Sequence, residues 1–163
     1  MSAELRVWPE PVERVASFLR EVGAEARLVE LPQETPTAED AADAIGCTLS
    51  QIVKSLVLVC DDAPVVALVP GDRKADTGKV ARIMGARRAA VASAAQVLEA
   101  TGFRPGGVAP FPLERVAAVL IDRSLLRHRV VWAGAGSDRH VVGLSAIELV
   151  RLTRGQVEDL ALE

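Results

Sequence analysis

Tyrosine is absent from this chain, and only two tryptophans and three phenylalanines occur among its 163 residues. A broad aromatic platform that stacks successive bases, as single-strand binders use, is therefore not expected. Cysteine is as scarce. Cys47 and Cys60 lie among apolar residues near the ends of a candidate strand, which argues against a disulfide framework. Two histidines and two cysteines, scattered along the chain, make no structural zinc site. No apolar run approaches the ~20 residues of a membrane span. Residues Met1–Arg6 lack the charged-then-apolar pattern of a secretory signal. The chain reads as soluble and cytoplasmic, with no membrane partner and no cofactor or metal.

What is present is a hydrophobic half. At 50% hydrophobic residues, 163 residues suffice for a proper core, and the whole chain, 1–163, reads as one domain. The net charge of −3 argues against a general nucleic-acid binder, but the charge is unevenly spread. Residues 1–45 carry ten acidic and four basic side chains, a local −6. Residues 71–88 carry Arg73, Lys74, Lys79, Arg82, Arg87 and Arg88 against Asp72 and Asp76, a local +4. Such a segment is either a solvated helix surface or a seat for a phosphate backbone.

Trp8, Val12, Val15, Leu19 and Val22 alternate spacings of four and three, one face of a helix, with Pro9 and Pro11 at its start. Ala26–Leu31 reads as a strand. Thr37 caps a helix that stops at Gly46, and Thr48 with Gln51 is a capping-box pair. Val53–Cys60 is apolar and β-branched nearly throughout, a strand with both faces covered, and Pro64–Val69 returns as its hairpin partner. Helices follow over Asp76–Met84, from Ser93 to Gly102, and from Ser145 to about Thr153. Strands are expected at Arg88–Ala92, Val116–Ile121, Arg129–Ala133 and His140–Leu144, with Gly134–Asp138 as a hairpin turn. Hairpins outnumber strand–helix–strand units. The fold class is thus α/β of the α+β type, a mixed, largely antiparallel sheet with flanking helices.

One stretch resists assignment to either element. Arg104-Pro105-Gly106-Gly107-Val108-Ala109-Pro110-Phe111-Pro112 holds three prolines, which exclude a helix interior, and two adjacent glycines, which weaken a strand. It is an apolar loop. Two roles fit: a tight turn between elements, or a stiff rim whose amides hold an oxyanion or a nucleoside.

Familiar catalytic signatures fail. Gly71–Lys79 lacks phosphate-loop spacing, with Val80 where a hydroxyl residue belongs. Gly134-Ala135-Gly136 begins a dinucleotide pattern, but position 139 is Arg and no helix follows. No nucleophile elbow occurs. Lys54 sits at the start of an apolar strand, where it is either a solvated edge lysine or a cation for a phosphate or a developing negative charge. His140 opens a strand after a Gly/Ser/Asp turn, a position open to pocket, hydrogen-bonding and plain surface roles. Asp122 ends a strand as a cap or an acid.

The run Gln51-Ile52-Val53-Lys54-Ser55-Leu56 resembles the lysine strand of the YbaK/ProX family of aminoacyl-tRNA deacylases. Thr101–Phe111 resembles that family's Gly-x-x-x-Pro loop, with Gly106 and Pro110 in the matching places. Val119–Asp122 and the glycine turn before Ser137 follow in the same order, so the likeness spans roughly residues 10–155. It implies a curved mixed sheet, also found as the editing insertion of bacterial prolyl-tRNA synthetases. It implies hydrolysis of the ester joining a wrong amino acid to tRNA, Ala- or Cys-tRNA(Pro), with prolyl-tRNA synthetase as a further partner. Lys54, Gly106 and Gly107 are then catalytic, and Val108, Pro110, Ser137 and His140 bind substrate. Arg73, Lys74 and Lys79 are candidates for tRNA contact. Where cysteine-specific members carry a Gly-x-Arg-Gly turn, this chain has Gly134–His140, which moves the resemblance toward the ProX side. The alternative is a non-catalytic module of the same fold that grips a tRNA 3′ end or a synthetase.

Overall fold

A computed structural model describes residues 7–163, so the reading of Met1–Arg6 lies outside the described residues. The elements are α1 (Glu10–Glu21), β1 (Ala26–Glu30), α2 (Ala38–Ile45), β2 (Ile52–Cys60), β3 (Ala63–Pro70), α3 (Thr77–Met84), β4 (Ala89–Val91), α4 (Ala94–Thr101), β5 (Ala118–Asp122), β6 (Val130–Ser137), β7 (His140–Ser145), α5 (Ala146–Thr153) and β8 (Gln156–Glu158). The caps expected at Thr37, Ser93 and Ser145 form, each accepting a backbone N–H of the first turn of the helix it opens, and Asp76, read as the first residue of its helix, is likewise its cap. The Ser145–Glu148 spacing of a capping box is only half used, because the Glu148 carboxylate instead takes Arg151 and the Glu25 N–H. Those three bonds, the two from Arg151 first, hold the Glu148 carboxyl down at about 2.

The strands form one mixed sheet in the order β1-β7-β6-β2-β3-β5-β8, with β4 on β2. Four pairings are antiparallel and three parallel. Successive residues of β2 face opposite sides. Val53 and Val57 enter a core with Phe103, Phe111, Val131 and Leu149, covered by α1 and α5. Leu58 and Cys60 enter a second core under α3, with Val80 and Leu160. β2, apolar apart from Lys54 and Ser55, is therefore sandwiched, as its composition requires.

Gly134-Ala135-Gly136 is not a turn. β6 continues through Ser137 with an irregularity between Gly134 and Ser137, and only Asp138-Arg139 turns. The reason is packing. Gly136 has φ +105°, and a Cβ there would stand 2.8 Å from the Pro11 carbonyl, so the missing side chain lets α1 lie against β6.

The most consequential pairing is the shortest. β6 runs parallel to β2 only at Ile52–Trp132 and Val53–Ala133. β4 pairs with the same edge of β2 only at Leu58–Cys60. Between them, the edge at Lys54–Leu56 has no ladder partner among the described residues, and the sheet forks there.

Asp122 proves to be a cap. Only 1% exposed, it accepts from the Leu160 N–H at 2.8 Å and from the Ser124 N–H and hydroxyl, tying β5 to the chain after β8. Removing a buried acceptor strands its donors at about 1–3 kcal/mol. Asp122→Ala should therefore lower unfolding stability by that amount in urea titration. An unchanged midpoint would show that the Leu160 N–H finds water instead.

Candidate functional site

The fork opens into a cleft of about 210 Å³. Lys54 and Ser55 of β2 form one wall, and Trp132, Ala133 and Gly134 of β6 the other. Gly106 and Val108 close one end, Ser137 and His140 another, and Thr35–Ala38 with Ala41 form a rim.

Hydrogen bonds explain how each wall is held. The rim is fastened to the β6–β7 turn: Thr35 donates to the Asp138 carbonyl through its N–H at 2.7 Å and through its hydroxyl at 2.9 Å. Arg139 donates to the carbonyls of Leu31 and Pro32. The 104–112 loop is anchored by its apolar residues. Phe103, Ala109 and Phe111 are fully buried in the first core, and Phe111 stacks on Phe18 with ring centres 5.3 Å apart. Burial of a phenylalanine contributes about 1.5–3 kcal/mol. That leaves Arg104–Gly106 exposed as a stiff tip at the cleft mouth.

Lys54 lies on the β2 face that carries Ile52 and Leu56, and its Nζ donates to the Arg73 carbonyl. Burial pushes the Lys54 ammonium below its ordinary range, Glu39 and Asp72 pull it back up, and Lys74 opposes them. His140 is 5% exposed. Its Nδ1 lies 2.6 Å from the Ser137 hydroxyl and its Nε2 3.6 Å from Glu30 Oε1, with the Trp8 ring edge-on at 5.5 Å. This is a held, inward-facing histidine, not a surface one.

Not every expected residue reaches the cleft. Pro110 is buried beneath the loop, against the region of Phe18 and Leu152. The Gly107 N–H donates to the Arg104 carbonyl at 2.9 Å, closing a turn within the loop. It is thus not free to hold an oxyanion, whereas no backbone carbonyl among the described residues takes the Gly106 or Val108 N–H. Lys79 also departs from the reading as a free surface cation. Its ammonium bonds both Asp159 oxygens at 3.1 Å and the Ala161 carbonyl at 2.8 Å, fastening α3 to the C-terminal segment. Arg73 and Lys74 are exposed and stand beside Lys54.

Sequence reasoning overlooked two residues of the cleft. The Ser55 hydroxyl is buried with no hydrogen-bond partner in the protein, yet its residue lines the cleft. A buried donor left unpaired is costly, so this hydroxyl is suited to a ligand or a water. Trp132 was silent because its meaning depends on what lies across the sheet from it. Among the described residues no three His, Cys, Asp or Glu side chains group to hold a metal ion. Nor is any helix long and apolar enough to cross a membrane.

Residues 32–152 match the family model described as aminoacyl-tRNA editing domain. The chain belongs to that family. It is 33% identical over 147 residues to the uncharacterized protein YwhH of Bacillus subtilis, covering 90% of this chain and 93% of that one. It is 34% identical over 110 residues to the proline–tRNA ligase of Maridesulfovibrio salexigens, covering 67% of this chain but 19% of the ligase. A crystal structure of a candidate trans-editing enzyme for prolyl tRNA synthetase superposes with a TM-score of 0.90 at 36% identity, over 96% of this chain and all of that one. The family and fold expected from the lysine strand and the glycine loop are those found.

The loop's contact with β6 gives a direct test. A Cβ on Gly107 would stand 3.1 Å from the Gly136 carbonyl oxygen, and valine's branches would press closer. Gly107→Val should cost about 1–3 kcal/mol by overpacking. Gly106→Ala meets open space and carries only the penalty of its φ of +86°, about 1–2 kcal/mol. Both are read from urea midpoints. A Gly107→Val midpoint equal to wild type would mean the loop does not rest on β6.

Proposed function

We propose that this protein acts in trans on mischarged tRNA, hydrolysing the ester that joins alanine or cysteine to tRNA(Pro). The observation that carries this reading is the convergence of Lys54, Gly106, Val108, Ser137 and His140 on one cleft at the fork of the sheet. Water attacks the ester carbonyl, the carbon–oxygen bond to the terminal ribose breaks, and the ribose hydroxyl recovers a proton. The products are a free amino acid and uncharged tRNA. The neighbouring ribose hydroxyl assists the attacking water, so no protein nucleophile is required. The N–H groups of Gly106 and Val108 donate to the oxyanion as charge develops. Lys54 holds the terminal nucleotide's phosphate as a point charge.

Editing of this kind follows from a limit on recognition. One methylene changes binding by only about 1–3 kcal/mol, so a synthetase cannot reject every smaller amino acid by fit. A second, smaller pocket removes them. Small residues line the cleft here, Ala38, Ala41, Ala133 and Gly134, which suits a short side chain. Exposed Arg73 and Lys74, on the loop that Lys54 holds, are suited to acceptor-stem phosphates.

Lys54→Ala should abolish deacylation of Ala- and Cys-tRNA(Pro) while the far-ultraviolet dichroism and melting curve stay close to wild type. Because the ammonium is the active form and burial lowers its pKa, the enzymatic rate should fall as pH rises through a value below that of free lysine. Lys54→Arg, if active, moves that limb upward. Near-normal turnover by Lys54→Ala would remove it from the mechanism. Binding of tRNA without turnover by the wild type would mean a binding module.

Reversing Arg73 and Lys74 to glutamate should weaken tRNA binding and flatten the dependence of log affinity on log salt by roughly 0.7–0.9 for each lost phosphate contact. Hydrolysis of a minimal aminoacyl-adenosine should change little. Lys79→Met should instead loosen the C-terminal segment and leave the salt slope alone. The reverse pattern would put Lys79, not Arg73 and Lys74, on the tRNA.

A further inference from the structure

We infer that Trp132 is the platform on which the terminal base of the tRNA stacks while Lys54 holds that nucleotide's phosphate. This rests on the reading that the cleft receives a tRNA 3′ end. The indole is placed by an absence. Across the β6–β7 ladder Trp132 is paired with Gly143. A Cβ built on Gly143 would lie 2.7, 2.7 and 2.9 Å from three consecutive carbons of the six-membered ring. An edge-on ring would put one carbon much nearer than its neighbours; near-equal distances mean the ring lies flat on the glycine. One indole face is therefore spent on the sheet, and the other is turned away from it.

Trp132 packs against the cluster of Ala41, Ala42 and Ile52, which Ala38, Ile45 and Cys47 also join, yet it stays only half-buried, and with Ala38 and Ala41 it lines the cleft. Among the described residues lining the cleft the other aromatic ring is the His140 imidazole, which is already taken up by Ser137, Glu30 and Trp8. The cation stands at a suitable reach. Ile52 is the register partner of Trp132 across the parallel pairing, and Lys54 follows two residues on along the same face, about 6.6 Å further. A flat aromatic and a lysine on the same face of adjoining strands, offset by two residues and lining one cleft, suit the base and the phosphate of a nucleoside monophosphate.

The test uses the full chain and two probes, adenosine 5′-monophosphate and ribose 5-phosphate, in calorimetric titrations. Loss of one base stack corresponds to a roughly 5- to 150-fold weaker Kd. Trp132→Ala should weaken the adenosine nucleotide by that factor and leave ribose 5-phosphate unchanged, while Trp132→Phe keeps most of the nucleotide affinity. In the wild type, the nucleotide should quench tryptophan emission and ribose 5-phosphate should not. Equal loss of both probes in Trp132→Ala would make Trp132 merely a strut of the cleft, and unchanged nucleotide binding or absent quenching would overturn the proposal. Deacylation separates this from the enzymatic reading. A wild type that binds and quenches but does not hydrolyse keeps the base platform and loses the hydrolase. A Trp132→Ala enzyme with unchanged KM keeps the hydrolase and loses the platform.

Discussion

β6 and β2 share two residue pairs and then part, and the site exists because they do. Had the parallel ladder continued, the Lys54–Leu56 edge would be filled by β6, leaving no space between the strands. An unpaired strand edge in a sheet interior is ordinarily a liability, because its amides and carbonyls need partners. Here the edge is faced by a loop and lines the cleft. The divergence itself traces to β6, where the ladder to β7 becomes irregular between Gly134 and Ser137 and α1 presses on Gly136.

The loop that faces this edge is stiff for reasons of packing. Phe103 and Phe111 sink into the core on either side of it, so the intervening residues have little freedom and Gly106 is held at the mouth. Stiffness matters for the proposed chemistry, since donors that need no reorganisation stabilise developing charge best. The other end is held in a similar way. Thr35 and Arg139 tie the rim to the β6–β7 turn, and Ser137 holds the imidazole of His140. The site is a set of independently anchored pieces around one gap.

Charge is divided between contacts inside the fold and a surface left to solvent. Within the basic segment, Lys79 is consumed by Asp159 and the Ala161 carbonyl, while Arg73 and Lys74 stay exposed next to Lys54. A count of basic residues treats the three alike. Only the fold separates a clamp on the C-terminal segment from a surface that meets solvent.

Much of the architecture was legible in the residues themselves, because it rests on local rules. The caps at Thr37, Ser93 and Ser145, the glycine stops at Gly46, Gly85 and Gly102, and the two-sided burial of β2 follow from spacing and side-chain chemistry within a few residues. The lysine strand and the glycine loop pointed to the family on motif order alone. The rest depended on residues far apart in sequence. Whether Gly134–Gly136 bends or runs straight was decided by α1 some 120 residues earlier in the chain. That Gly107 spends its N–H on Arg104, that Pro110 lies under the loop, and that Ser55 is buried without a partner are facts of three-dimensional neighbours. That Trp132 lies over Gly143 and opposite Ile52 is a relation of strand register. Local interactions select the elements; the gap between them is a property of how they meet.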